Sequence, residues 1–133
     1  MKKGYHAAIE TLTTENDDFR RVLYTGEHLQ LVLMSIAPGS EIGEETHSEN
    51  DQFFRFESGV GIVLIGETKY EVKDGDVIIV PSGTRHNVMN ASSTEALKLY
   101  TLYAPPHHKD QIVRATKEEA VANEAEFEGE TTE

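Results

Sequence analysis

The sequence predicts an all-β domain of the sandwich or closed-barrel type. Short apolar or alternating segments follow one another, separated by turn signals at intervals of about eight to twelve residues. Gly and Pro punctuate most of these turns. With 133 residues and 38% hydrophobic side chains, the chain is large enough for one domain with its own core. We therefore expect a single domain over residues 1–133, with the barrel core at about residues 19–104.

Apolar patterning predicts eight strands, each ended by a turn. They are Phe19–Tyr24, Leu29–Ile36, Gln52–Glu57, Gly61–Gly66, Lys69–Val72, Val77–Val80, Arg85–Asn90 and Ala96–Tyr103. The second of them is apolar at nearly every position, which is typical of a strand buried on both faces. Glu67 and Thr68 separate two of the strands and predict a hairpin.

The two ends of the chain carry weaker patterns. Residues 7–12 could form a short strand or an extended arm, and residues 13–18 are typical of a polar turn. Near the other end, Thr116 and Glu119 have the spacing of a capping box and predict a short C-terminal helix. Residues 117–133 contain seven Glu and one Lys, so we expect the end of this segment to be a frayed acidic tail.

The charge and the composition exclude several classes of partner. A formal net charge of -12 opposes binding to nucleic acid and to anionic membranes, both of which require basic patches. No apolar stretch is long enough to span a bilayer, and the first residues lead into no apolar run, so we expect no signal peptide. The absence of Cys excludes disulfides and thiolate metal ligands. A cytoplasmic location is expected.

The types and the spacing of Glu45, His47 and His86 predict a metal site. Glu45 and His47 are two residues apart, so on a strand their side chains would point to the same face. His86 lies on a later strand, which is entered through the turn at residues 81–84, and can approach this pair from across the sheet. Imidazole and carboxylate groups that converge inside a small β-barrel are typical of a metal site.

These residues occur in a pattern that resembles the two motifs of the cupin superfamily. The first motif is matched in spacing, with Glu and Gln in place of the usual first His and Glu, by Gly39, Glu45, His47, Gln52 and Gly59. The second motif is matched at every position by Gly75, Pro81, Gly83, His86 and Asn90. The resemblance implies a cupin-type β-barrel, that is, a double-stranded β-helix or jelly roll.

The resemblance also implies one divalent metal ion, held by Glu45, His47, Gln52 and His86. Asp51 is a rival to Gln52, but counting from Asp51 puts Ser58 where the motif has Gly, so the register favours Gln52. Two imidazoles and one carboxylate suit Fe, Mn, Zn or Ni and leave positions open for water or substrate. The amide oxygen of Gln52 is a weaker ligand and could instead support the site without binding the ion.

The neighbours of these ligands are candidates either for a pocket or for the core. They are Met34, Ile36, Phe54, Phe56, Val88, Tyr100 and Leu102. Glu45 and Tyr100 are the candidate catalytic residues, although parity is the only ground for choosing Tyr100 over Tyr103. His107 and His108 follow a double Pro, and we expect both to be exposed and outside the metal site.

Three classes of function remain open. A metal-dependent enzyme could be an isomerase or lyase that works through an enediolate, or an Fe(II) dioxygenase that acts on a chelating substrate. A non-catalytic module would bind a sugar or another small-molecule ligand, with an empty or structural site. An interaction protein would act as a homodimer, through a sheet that includes residues 29–36. A lone carboxylate leaves the metal unit near +1, which would attract an anionic or enolisable ligand, but no inward basic cluster is evident for a phosphate.

Overall fold

The computed structural model describes all 133 residues and has two β-sheets and two short helices. The elements are α1 (Ile9–Glu15), β1 (Arg20–Thr25), β2 (Gln30–Ile36), β3 (Asp51–Ser58), β4 (Val60–Ile65), β5 (Thr68–Lys73), β6 (Val77–Val80), β7 (His86–Asn90), β8 (Leu97–Ala104), β9 (Val113–Arg114) and α2 (Lys117–Ala122). The larger sheet has the order β6-β3-β8-β2-β1-β9, and the smaller has the order β5-β4-β7. The predicted all-β jelly roll is confirmed. No helix is long and apolar enough to cross a membrane.

The core lies between the two sheets because alternate residues of each strand face inward. Strand β8 illustrates the alternation, with Leu97 and Leu99 fully buried and Lys98 between them partly exposed. Burial of one such side chain contributes about 1.5–3 kcal/mol. One continuous cluster joins the two sheets and includes Val32, Met34, Ile36, Phe54, Phe56, Val63, Val72 and Val88.

Gly59 forms the corner where the chain leaves the larger sheet and enters the smaller one. It lies between β3 and β4 with φ +90°, a conformation that favours glycine. A Cβ at this position would lie 2.5 Å from the carbonyl oxygen of Ala96. The close approach of two backbone segments therefore requires glycine here.

The side chain of Asn90 holds the loops at one end of the fold together through hydrogen bonds. Its Nδ2 donates hydrogen bonds to the carbonyl oxygens of Ile36 at 3.0 Å, Ala37 at 3.2 Å and Glu95 at 2.8 Å. Its Oδ1 accepts a bond from the Ser92 amide at 2.8 Å. The last residue of the second motif therefore has a structural role.

The expectation for residues 7–18 was wrong, because Ile9–Glu15 form helix α1. This segment has no capping side chain at Ala8, and its β-branched residues are only moderate helix formers. Packing stabilises the helix instead, since α1 lies on the outer face of the larger sheet against β2, β3 and β8. Thr13 is fully buried in this contact, and its hydroxyl donates to the carbonyl of Ile9.

Helix α2 begins as the sequence predicts. The Thr116 hydroxyl accepts a hydrogen bond from the Glu119 amide at 3.1 Å. This contact satisfies one of the free amide groups that begin every helix.

The acidic segment after α2 is bonded to the body of the protein, in contrast to the frayed tail that the sequence suggests. Phe127 donates its amide proton to the carbonyl of His107 at 3.0 Å, and Lys109 donates to Ala125 at 2.9 Å. Further along, the Thr132 amide donates to the Thr25 carbonyl at 2.9 Å. The expectation of a frayed tail was based on side-chain charge, which does not indicate backbone hydrogen bonds of this kind.

Candidate metal centre

The backbone places Glu45 directly opposite His86. The two residues exchange both amide-to-carbonyl hydrogen bonds, each 2.9 Å long, although Glu45 lies outside the regular strands. On either side of this pair, Ile42 donates to Val88 at 2.9 Å and Gly83 donates to His47 at 2.8 Å. The segment that carries the first motif therefore runs antiparallel to β7, which carries the second. This pairing brings the two motifs together.

Glu45, His47 and His86 converge as the sequence predicts. Their potential ligand atoms all lie within 4.8 Å of one another. The carboxylate Oε2 of Glu45 is 2.8 Å from His47 Nε2, and the rings of His47 and His86 are 5.4 Å apart. Ligand atoms bound to a single zinc-like ion at about 2.0–2.2 Å stand roughly 3–3.5 Å apart. The cluster thus fits a divalent ion with little rearrangement.

The hydrogen bonds of His86 leave its inner nitrogen free for a metal. His86 is 4% exposed, and its Nδ1 lies 2.9 Å from the carbonyl oxygen of Thr84. A carbonyl can only accept, so Nδ1 carries the proton and donates it, and Nε2 keeps its lone pair. A backbone carbonyl that orients the ring in this way is typical of metal-binding histidines.

Glu45 is ionised at neutral pH. Burial raises the pKa of Glu45, but the hydrogen bond and the positive charge of His47 lower it, and the charge of Arg20 acts in the same direction. The net result is a pKa below 4.5. The side chain of Glu45 is 30% exposed, whereas that of His47 is 8% exposed. A partly open carboxylate beside two imidazoles can serve as a ligand or as a proton acceptor.

Gln52 points inward and Asp51 points outward. Gln52 is 2% exposed and its Nε2 donates to the Thr101 hydroxyl at 3.0 Å, whereas its Oε1 is buried with no hydrogen-bond partner. Asp51 is exposed and accepts a hydrogen bond from the Ser82 amide at 2.9 Å. The inward side chain of Gln52 agrees with the motif spacing, which favours Gln52 over Asp51. The Oε1 atom of Gln52 is an acceptor available to an ion or a ligand.

Tyr100 and Leu102 require a correction, because neither faces the cluster. Alternation along β8 turns Thr101 and Tyr103 inward, where they are 0% and 2% exposed. Tyr100 lies on the outer face, with its ring 6.3 Å from that of Phe53. The tyrosine near the cluster is therefore Tyr103. The other five pocket candidates face inward and are fully buried in the core: Met34, Ile36, Phe54, Phe56 and Val88.

His107 and His108 also require a correction, since the segment after the double Pro folds back over the site. The ring of His107 lies 4.4 Å from that of His47 and stacks on Tyr103 at 5.2 Å. His108 is 7% exposed, with Nε2 3.2 Å from the Tyr103 hydroxyl. Burial raises the pKa of Tyr103, so this hydroxyl keeps its proton. Burial likewise lowers the pKa of His107, and the charge of His47 lowers it further.

Gln30 holds this histidine segment in place and was missed by sequence reasoning. Its Oε1 accepts hydrogen bonds from the amides of His107 at 3.1 Å and His108 at 2.9 Å. Its Nε2 donates to the His108 carbonyl at 2.7 Å and to the Thr25 hydroxyl at 2.9 Å. The available signal was a lone amide within an otherwise apolar strand.

Arg20 is a second residue that sequence reasoning missed. It pairs with Met34 across β1 and β2, so its side chain starts on the inner face of the larger sheet. Its charge influences the pKa values of Glu45, Tyr103, His107 and His108. Strand alternation in residues 19–24 was the signal that could have placed it inward.

A cleft leads from the surface to the cluster. It has a volume of ≈ 360 Å³ and is lined by residues 46–50 on one side and by Pro105, Pro106 and His107 on the other. Glu126 and Phe127 of the acidic segment complete the wall. His47 is the member of the cluster that lines this cleft, and the other lining groups are mostly polar. A small polar molecule could enter here.

The jelly roll, with its two motif segments paired at the cluster of Glu45, His47 and His86, agrees with the cupin resemblance of the sequence. Residues 32–103 match the family model of the cupin domain. YrkC of Bacillus subtilis, an uncharacterized protein, is 45% identical over 128 residues, which cover 92% of this chain and 68% of YrkC. The chain belongs to the cupin family.

Solved structures agree with this assignment. The crystal structure of BH2720 from Bacillus halodurans is similar with a TM-score of 0.88 and 44% identity, covering 91% of this chain and 96% of that one. The cupin domain of Cnp3 from Schizosaccharomyces pombe is similar with a TM-score of 0.62 and 24% identity, over 65% of this chain and 63% of that one. The second likeness shows the fold alone.

Proposed function

We propose that this cupin binds a divalent metal ion through Glu45, His47 and His86, with Gln52 beside them, and acts on a small polar metabolite there. The convergence of three ligand atoms within 4.8 Å carries the proposal. The donor set of two imidazoles and one carboxylate fits Fe, Mn, Zn or Ni. Two further observations support it: the Thr84 carbonyl orients His86, and the buried oxygen of Gln52 has no partner.

The bound ion would act as a Lewis acid toward an oxygen of the substrate. The chain supplies the other groups. Glu45 is ionised and can accept a proton, whereas Tyr103 stays protonated and can donate a hydrogen bond. The His107 ring lies 4.4 Å from that of His47, whose side chain is 8% exposed. These groups suit an isomerase or a lyase, and the same ligands suit an Fe(II) dioxygenase.

Metal analysis tests the proposal. Full-length protein without a histidine tag is reconstituted separately with Fe(II), Mn, Zn and Ni, and its metal content is measured by ICP-MS. We expect about one ion per chain, and little metal in His47→Ala or His86→Ala, because each substitution removes one of few ligands. His28→Ala is the matched control, since this histidine is exposed and distant, and it should keep the wild-type metal content.

Wild type that holds less than stoichiometric metal under all four conditions would contradict the proposal. A non-catalytic module for a small metabolite would then be the better account. If Fe(II) is retained, oxygen consumption with chelating substrates separates the two reaction classes. Oxygen uptake that depends on substrate indicates a dioxygenase, and its absence favours an isomerase or a lyase.

We also propose that the chain forms a homodimer through the outer face of the larger sheet. Residues 29–36, which the sequence suggested for the dimer contact, are not available over their whole outer face. Helix α1 covers part of that face, and Leu33 there is 2% exposed. The open part is the edge strand β6, where Val77 is 45% and Ile79 is 62% exposed. Apolar side chains on an unpaired edge favour contact with a second copy.

Light scattering after size-exclusion chromatography tests the dimer. Wild type should have twice the mass of one chain, and Ile79→Lys should shift it toward monomer. Val121→Lys is the control, because Val121 is 66% exposed on α2, away from β6. A monomeric wild type would remove this proposal and leave the metal site unaffected.

A further inference from the structure

Residues 123–133 follow α2 and form a strap that borders the cleft. Glu126 and Phe127 of this strap line the cleft together with His47 and His107. The Phe127 amide also donates a hydrogen bond to the carbonyl oxygen of His107 at 3.0 Å. The ring of His107 in turn lies 4.4 Å from that of His47. A single residue, His107, therefore connects the strap to the metal cluster.

The first attachment of the strap is a short antiparallel pairing with residues 107–109. Besides the amide bond described above, the Lys109 amide donates to the carbonyl oxygen of Ala125 at 2.9 Å. His108 and Glu126 are paired between these two bonds. The strap therefore runs alongside the histidine segment, and separation of the two breaks both hydrogen bonds.

The second attachment joins the strap to the end of β1. The Thr132 amide donates to the Thr25 carbonyl at 2.9 Å, and the Thr132 hydroxyl accepts from the Thr25 amide at 2.8 Å. The same hydroxyl donates to Asp110 at 2.9 Å. The Thr25 hydroxyl accepts a bond from Gln30, the residue that holds the histidine segment. Both attachments therefore lead to the segment that carries His107.

The strap is attached by hydrogen bonds and not by a buried core. None of its residues is buried, and Ala125, Phe127 and Thr131 alone are half-buried. The wall made by residues 46–50 differs, because Asn50 is 6% exposed and donates to the carbonyl oxygen of Pro105. A segment with few buried contacts opens at a lower free-energy cost than the packed structure around it. The strap is therefore the part of the cleft wall that opens most readily.

We propose that the strap is a gate for the metal cluster: it opens by local unfolding, and this opening sets the rate at which the ion enters and leaves. In the open state Glu126 and Phe127 leave the cleft wall, and the bond to the His107 carbonyl is lost. In the closed state, which the structure shows, the side chain of His47 is 8% exposed. This inference rests on the proposed function, in which the cluster holds a divalent ion. Because release requires opening, its rate follows the population of the open state.

The rate of metal release tests the gate. Full-length protein loaded with zinc, or with whichever of the other three ions it retains, is mixed with an excess of a chromogenic chelator, and release is followed by absorbance. Thr132→Val removes the bonds to the Thr25 amide and to Asp110. Their loss should raise the release rate about 2- to 10-fold. Thr131→Val is the matched control, because the Thr131 hydroxyl bonds only within the strap, to the carbonyl of Glu133, and it should keep the wild-type rate.

A covalent lock gives the opposite test. The chain contains no cysteine, so Lys109→Cys combined with Ala125→Cys provides the sole pair of thiols, at two residues whose backbones are bonded. Thiol titration shows when the disulfide has formed. The oxidised variant cannot open the first attachment, so it should release the ion at least about 10-fold more slowly than wild type.

Hydrogen exchange measured by mass spectrometry reports the opening of the strap directly. Peptides from residues 123–133 should exchange faster in Thr132→Val than in wild type, whereas peptides from β8 should be unchanged. Circular dichroism checks that each variant is folded, and the oxidised variant provides the test if Thr132→Val is not.

Two outcomes would each overturn the inference. One is an equal release rate in wild type and in the oxidised variant. The other is a release rate in Thr132→Val that matches that of Thr131→Val although its strap exchanges faster. ICP-MS on the same samples separates these results from the proposed function. If wild type holds metal but release does not depend on the strap, this inference alone fails, and if wild type holds none of the four ions, both fail.

Discussion

His108 shows how the surroundings of one side chain determine its charge. Burial lowers its pKa well below 6.5, and the positive charges of Arg20, His107, His47 and Arg114 lower it further. The folded chain therefore keeps His108 neutral at a pH where the unfolded chain binds a proton. Because the unfolded state then holds more protons, the free energy of unfolding falls as the pH falls below about 6.5.

We predict that the protein loses stability between about pH 7 and pH 5, and that His108→Gln loses less over this range. The neutral amide of the variant cannot titrate, so its free energy of unfolding should vary less with pH. A pKa shift of one unit corresponds to about 1.4 kcal/mol. Urea unfolding at several pH values measures the difference. His28→Gln, at an exposed position, should keep the slope of wild type, and an equal slope in His108→Gln would contradict the prediction.

Gln30 gives a second prediction about a single side chain. Gln30→Ala leaves the amides of His107 and His108 without their acceptor in a buried region. Each unsatisfied buried group costs about 1–3 kcal/mol, so we expect a loss of at least that size in urea unfolding. Glu67→Ala, at an exposed turn position, should change stability by less than about 0.5 kcal/mol. Equal losses in the two variants would count against the role of Gln30.

The corner between β3 and β4 depends on a missing side chain. In Gly59→Ala, the positive φ costs about 1–2 kcal/mol. The new Cβ would also lie 2.5 Å from the Ala96 carbonyl oxygen, and overpacking of this kind adds about 1–3 kcal/mol. Gly39→Ala is the matched control, because Gly39 has φ +70° and open space around it. Thermal unfolding should show a clearly larger loss for Gly59→Ala, and similar losses would contradict the close approach.

The strands could be predicted from the sequence because alternation and turn residues are local signals. The convergence of Glu45, His47 and His86 was also predictable from the spacing of the two motifs, although Glu45 and His47 lie outside the regular strands and only Glu45 forms an isolated bridge, with His86. Helix α1 was not, because its stability comes from packing on a sheet that no local pattern reveals. Tyr100 was misplaced for a different reason: a shift of one residue in a predicted strand turns every side chain to the other face.

The whole molecule carries a large excess of negative charge. A net charge of -12 on a chain of this size produces self-repulsion in the folded state. Salt screens this repulsion, since the Debye length falls from about 30 Å at 0.01 M to about 8 Å at 0.15 M ionic strength.

We therefore predict that the midpoint of thermal unfolding rises as NaCl is added over this range of ionic strength. Differential scanning calorimetry in a weakly buffering solution at neutral pH measures the rise. Sucrose at equal osmolarity is the control for effects other than screening. A midpoint that stays constant or falls with NaCl would mean that attractive ion pairs, such as that of Lys98 with Asp17, outweigh the repulsion.

The cleft beside His47 also offers a route to direct observation. Because the chain contains no cysteine, a Cys introduced at Glu49 on the rim would be its sole thiol. A fluorophore attached there by maleimide chemistry would stand next to the mouth without replacing any of the converging side chains. Its emission would then report the arrival of an ion or a small molecule in real time, whatever reaction follows.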